Sequence, residues 1–148
     1  MSRVAFLLDT NVLSEPAKPE PDPGCLQRLY REQDRVATTA ITMHEMRYGL
    51  GRMPSGNRRR DLEAYLEQLL GSNIPVLAYD QDAALWHGRV RAELESAGRP
   101  KPFVDGQIAA IAATQGLVLV TRNTSDFKEF PDISTENWFS DKAAGEQG

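Results

Sequence analysis

A single cysteine, Cys25, stands in a chain of 148 residues, so no internal disulfide can form and a reducing compartment is the natural setting. Histidine is almost as scarce: His44 and His87 are the only two, and they lack the one-turn spacing of a metal-binding pair. No apolar run reaches the length of a membrane span, and no charged leader with a cleavage site precedes the first apolar stretch. A cytoplasmic location without membrane attachment is therefore expected. Basic residues are not in excess either, with 17 Lys and Arg against 21 Asp and Glu for a net charge of −4. That balance argues against a broad, nonspecific nucleic-acid surface but leaves room for a nuclease, whose clustered acids lower the total. Neither a Ser-His-Asp nor a Cys-His nucleophile set is available, and no glycine loop of the phosphate-cradling kind occurs.

What is present is a soluble-globular composition, 41% hydrophobic and 26% charged, in a length that suits one domain. We expect that domain to span 1–139, followed by a polar, flexible tail at 140–148. The organising stretch is Val4-Ala5-Phe6-Leu7-Leu8-Asp9-Thr10-Asn11, five apolar residues closed by an acid and two small polar residues. It reads as a buried strand ending at a carboxylate, the place where open α/β sheets collect ligands. Read blandly, Asp9 only caps the helix after it.

Beyond a proline-rich rim (Pro16, Pro19, Pro21, Pro23), Asp22-Pro23 predicts a helix to about Asp34 with Leu26, Leu29 and Tyr30 on one face. Val36–Thr39 reads as a strand and 40–53 as a helix with a Met43, Met46, Leu50, Met53 stripe. Glu45 falls off that stripe, yet its helical neighbours are Ile41, Tyr48 and Gly49, an odd setting for a carboxylate without a partner or a metal. A helix over 60–71 follows, with Leu62, Tyr65, Leu66, Leu69 and Leu70 inward, then a short strand over 75–78. Asp80 caps a helix to about Ala97 with Ala83, Trp86, Val90 and Leu94 inward, in which His87 reads as structural. Phe103 to Gln107 opens another helix, with Asp105 in its first turn on the side of Ile108. Leu117–Thr121 is the second strongly apolar strand, running into Arg122-Asn123-Thr124-Ser125-Asp126, and a last strand is expected at 133–135. The basic run Arg58-Arg59-Arg60 reads as a solvated face, while Arg99, Lys101 and Arg122 are candidate phosphate contacts.

Alternating strands and helices predict an α/β fold, a central parallel sheet flanked by helices. With the strands ending at Asp9 and Thr121 adjacent in its centre, Asp9, Asp105 and Asp126 converge, and Glu45 can supply a fourth acid. Clustered carboxylates repel one another unless a cation or protons intervene. Oxygen-only donors favour Mg²⁺, with Mn²⁺ as a substitute, over Zn²⁺. Such an ion would lower the pKa of a coordinated water, orient it for in-line attack and stabilise the leaving oxygen.

Four segments also carry a family likeness: Leu8-Asp9-Thr10-Asn11-Val12-Leu13-Ser14-Glu15, Thr42-Met43-His44-Glu45-Met46-Arg47-Tyr48-Gly49, Asp105-Gly106-Gln107-Ile108-Ala109-Ala110 and Thr121-Arg122-Asn123-Thr124-Ser125-Asp126-Phe127. In this order they resemble the signatures of PIN-domain ribonucleases, and more narrowly the VapC/FitB-type toxins of bacterial toxin–antitoxin pairs. The resemblance implies a PIN fold, metal-dependent cleavage of RNA, a cognate antitoxin covering the site, and a homodimer. It assigns the acidic set to Asp9, Glu45, Asp105 and Asp126, with Asp9 and Asp105 as principal ligands. Asn11, Thr121 and Asn123 match the polar helpers; the serine or threonine usual upstream of the second acid is here Thr42 or Thr39. Two alternatives compete. A haloacid-dehalogenase-like phosphohydrolase needs an acid two residues after its nucleophile, where this chain has Asn11. A PIN-like module that binds RNA or protein without cutting would have no use for four mutually repelling acids.

Overall fold

The computed structural model describes residues 3–140. Five short strands, β1 (Phe6–Leu8), β2 (Val36–Thr39), β3 (Val76–Leu77), β4 (Val118–Val120) and β5 (Thr135–Glu136), form one sheet in the order β3-β2-β1-β4-β5. Every neighbouring pair is parallel, with Phe6 opposite both Val36 and Val118. The chain lays down β1, β2 and β3 toward one edge and then crosses to β4 and β5 on the other side. The direction of winding reverses between β1 and β4, which makes the carboxyl ends of these two strands the ligand crevice of such a sheet.

Both faces are covered, so the central strands β1 and β4 are apolar on both sides. Leu7, Ala37 and Leu119 pack on one face against α5 (Gln81–Ser96) and α6 (Phe103–Gln115). Phe6, Leu8, Val36 and Val120 pack on the other against α1 (Thr10–Leu13), α2 (Pro23–Arg31), α3 (Ala40–Arg52), α4 (Asn57–Leu70) and the Trp138-Phe139 pair. α6 is the most enclosed helix, with Ile108 through Ala112 all buried. A helix apolar nearly all round belongs in the interior, and its alanines allow neighbours to approach closely. It ends at Gly116, whose left-handed φ of 67° a side chain would resist.

Several expectations are corrected. Tyr30 is 77% exposed and Cys25 takes the inward place on α2, which stops at Arg31. Leu70 is 67% exposed, while Leu66 is the buried residue of α4 and Leu62, Tyr65 and Leu69 pack half-buried beside it against the core. α4 begins at Asn57 rather than at residue 60, so Arg58, Arg59 and Arg60 form its first turn. The last strand lies at Thr135–Glu136, beyond the expected 133–135. Its register with Leu119 and Val120 sets its place, while Ile133 packs on the α5/α6 core. Ser140, expected to begin the tail, is tied to Asp22 at the start of α2: its amide donates to Oδ2 at 2.8 Å and its hydroxyl to Oδ1 at 2.9 Å. The rest of the expected tail, 141–148, lies outside the described residues. No helix among the described residues is long and apolar enough to cross a membrane.

Candidate active site

Asp9 follows β1 directly and is 8% exposed. Its amide donates to the Val120 carbonyl at 3.0 Å, extending the β1–β4 ladder by one residue. Its carboxylate accepts from the Thr10 amide at 2.8 Å and from the Thr121 hydroxyl at 2.9 Å. Asp9 is also the N-cap of α1, so the capping role and a place in the crevice coincide. Burial pushes its carboxyl above the usual carboxylate range; the two hydrogen bonds oppose that rise, and the charges of Glu45 and Asp126 add to it.

Thr121 is fully buried and joins three of the expected residues. While donating to Asp9, its hydroxyl accepts from the Asn123 amide at 3.1 Å and from the Asn11 side chain at 3.5 Å. The Asn11 side-chain oxygen in turn accepts from the Arg122 amide at 3.0 Å, stapling the loop after β1 to the loop after β4. Thr38 adds a third tie by donating to the Leu8 carbonyl at 3.0 Å. The strand ends are thus locked by side-chain hydroxyls and amides where the ladder runs out.

Glu45 projects from α3 and accepts a hydrogen bond from the Thr10 hydroxyl at 2.7 Å. The Thr39 hydroxyl caps α3 by accepting from the Thr42 amide at 3.0 Å, and it donates to the Thr42 hydroxyl at 3.2 Å, so both threonines hold the helix that carries Glu45. Asp105 lies in the first turn of α6. Burial, then the charges of Asp9, Asp126 and Glu45, raise its carboxyl to about 6, against which Lys101 pulls down. Asp126 is in the 3-10 turn Thr124–Phe127, exposed, its amide donating to the Asn123 carbonyl at 3.0 Å. The four acids therefore lie within one another's fields at the crevice, although they come from positions spread over 118 residues of the chain.

An oxygen-only set of this kind suits a hard divalent cation, and the mutual repulsion is what such an ion would relieve. Among the described residues, no three Asp, Glu, His or Cys side chains are gathered closely enough to grip an ion as they stand. The fit therefore rests on donor chemistry and electrostatic proximity. The histidines lie apart from the acids' hydrogen bonds. His87 is buried, hydrogen-bonded at Nδ1 to the Tyr79 hydroxyl at 2.8 Å, as its structural reading anticipates. His44 is exposed and stacked on Tyr48.

Of the basic candidates, Lys101 and Arg99 are engaged by Glu129, and Arg122 lies over the Phe139 ring at 4.6 Å. Arg59 donates to the Met53 carbonyl at 2.7 Å, and Arg60 pairs with Asn57. Sequence reasoning gave no role to Thr10, the link between the first two acids, or to Gly106. A Cβ on Gly106 would lie 2.2 Å from His87 Nε2, so glycine is what lets α5 pack against α6 beside Asp105. Their positions inside the quoted motifs were the available signal.

Residues 6–133 match the PIN domain family model. The chain is 37% identical over 129 residues to VapC ribonuclease Y4jK of Sinorhizobium fredii, covering 83% of this chain and 90% of that protein. It is 36% identical over 135 residues to the tRNA(fMet)-specific endonuclease VapC of Shigella flexneri, covering 90% and 97%. Among solved structures, the DNA-bound VapBC of Salmonella typhimurium superposes with a TM-score of 0.75 at 34% identity, covering 91% of this chain and 98% of that one. VapBC-5 of Mycobacterium tuberculosis, from the VapBC family of toxin–antitoxin systems, gives 0.66 at 31% identity, covering 90% and 97%.

Proposed function

This chain belongs to the PIN-domain family, on its VapC/FitB branch of toxin ribonucleases, and from that premise we propose that it is a metal-dependent endoribonuclease that cuts RNA phosphodiesters with an activated water. What supports the reading is the electrostatic proximity of Asp9, Glu45, Asp105 and Asp126 beside the sheet's switch point, with Asp9 held by Thr10 and Thr121. Asp9 and Asp105 are the principal residues that would hold Mg²⁺, or Mn²⁺ in its place, with Glu45 and Asp126 completing the set directly or through water. A divalent ion supplies two things there: a lower pKa for a bound water, and neutralisation of charge on the phosphate oxygens. Thr121, Asn11 and Asn123 fix the loops on which the acids ride, so that the ligands are placed before substrate arrives.

The substrate class is RNA. The partner is an antitoxin, in keeping with the VapBC complexes that share this fold, and the free toxin is a cytoplasmic homodimer. Purified protein freed of its partner, incubated with total RNA and Mg²⁺ or Mn²⁺, tests the reading directly. Cleavage should require the metal, cease with chelator, and be lost in Asp9→Asn. Metal-independent cutting, or RNA binding unaffected by chelation and without cleavage, would refute it.

A further inference from the structure

Beside the acids runs a groove of about 450 Å³ between α3 and α6, room enough for a nucleotide-sized ligand. Its α3 wall is Ala40, Ile41, His44 and Tyr48; Val104 and Gln107, one turn apart on α6, face them across it. Glu45 belongs both to this groove and to the acidic set, so the groove continues out of the crevice. Tyr48 is 59% exposed, and its ring lies within 9° of parallel to His44, with centroids 6.2 Å apart. Arg52, one turn further on, places its guanidinium 5.3 Å from the Tyr48 ring centroid.

We infer that this groove is a nucleobase subsite, in which a base flanking the scissile phosphate packs against the exposed His44–Tyr48 pair. Gln107 offers an amide donor and acceptor to the base edge, and Arg52 a cation to the next phosphate. The inference rests on the ribonuclease reading. It goes beyond it by assigning substrate preference to residues that take no part in the chemistry. An exposed aromatic pair with one adaptable amide favours single-stranded RNA, whose bases can be turned out.

The test uses the full chain carrying Asp9→Asn, which binds without cutting, and fluorescein-labelled 12-mers read by anisotropy: rA, rC, rU, a mixed sequence, and an abasic ribose-phosphate strand. Tyr48→Ala should raise Kd about 10-fold on the best-bound base-bearing strand, the loss of one aromatic contact to a base, while Tyr48→Phe stays within about 2-fold. On the abasic strand, Tyr48→Ala and its parent should bind alike. Sedimentation and thermal melts of each variant accompany the titrations. Equal binding of abasic and base-bearing strands, or no effect of Tyr48→Ala, overturns the subsite while leaving metal-dependent cleavage standing. A shift from dimer to monomer in Tyr48→Ala makes the groove a contact between copies of this chain and likewise overturns it. Failure of every strand to bind overturns the subsite and the ribonuclease reading together.

Discussion

At the scale of single residues, the acids and their helpers differ in how far they can be read ahead of the fold. A carboxylate that ends an apolar strand conflicts with its own surroundings, and that conflict made Asp9 legible. The enclosed face expected around Glu45 is instead open to water, with Tyr48 and Gly49 exposed, so Glu45 was legible through its motif alone. Thr10 conflicts with nothing, since threonine is at ease after a strand; only the approach of α3 gives its hydroxyl a partner. Thr121 is the sharpest case, because one buried hydroxyl serves Asp9, Asn11 and Asn123 at once. Thr121→Val keeps the shape but leaves a buried carboxylate oxygen and a backbone amide without their partner, which should cost ~1–3 kcal/mol. Its melting temperature should fall and its cleavage rate with it, while Thr121→Ser restores most of both. An unchanged melt for the valine variant would show the hydroxyl to be idle. Asp9→Asn should behave in the opposite way, abolishing cleavage while melting at the same temperature or higher, because a buried charge repelled by Glu45 and Asp126 is gone.

At the scale of elements, helix and strand order was legible because period and breakers agreed, and the misses came where only a few residues carry the signal. Tyr30 and Leu70 follow helical spacing at the ends of α2 and α4, yet both are exposed, since spacing gives a direction and not the reach of the neighbouring layer. β5 is two residues long and owes its place to pairing with β4, which no local pattern encodes. The α5–α6 contact is the other feature that spacing could not show. His87 packs where Gly106 lacks a Cβ, lies 4.8 Å by ring centroid from Phe103, and is held by Tyr79, so it has little freedom to yield. Gly106→Ala should therefore destabilise by ~1–3 kcal/mol through overpacking, although alanine is the better helix former. It should also weaken cleavage by moving the first turn of α6, which carries Asp105. Combining Gly106→Ala with His87→Ala should recover part of the loss, and strict additivity of the two in thermal or urea melts would rule out the clash.

At the scale of the whole molecule, the sheet gathers negative charge at one rim, and the fold bears the cost of that gathering. Asp105 shows the sign of the effect. Its folded-state value of about 6 lies above the ordinary 3.8, so the stability linked to its protonation is complete below about 3.8 and is lost as pH rises through 6. The half-buried position of this carboxyl means that solvent screens part of the repulsion, and roughly 1 kcal/mol is a reasonable scale for the loss. A cation gathered by the acids would compete with protons for the same carboxylates, so its stabilisation should grow as they ionise. We therefore expect Mg²⁺ or Mn²⁺ to raise the melting temperature clearly at pH 8 and scarcely at pH 5. At a hundredfold excess over its Kd the gain is ~2.7 kcal/mol, or several degrees for a domain of this size. Asp105→Asn should melt higher than the parent at pH 8 without metal, match it more nearly at pH 4, and lose most of the metal's effect. Calorimetric scans at the two pH values, with metal and with chelator, decide the matter. A metal-induced shift that is the same at both pH values and survives Asp105→Asn would place the ion elsewhere than among these acids.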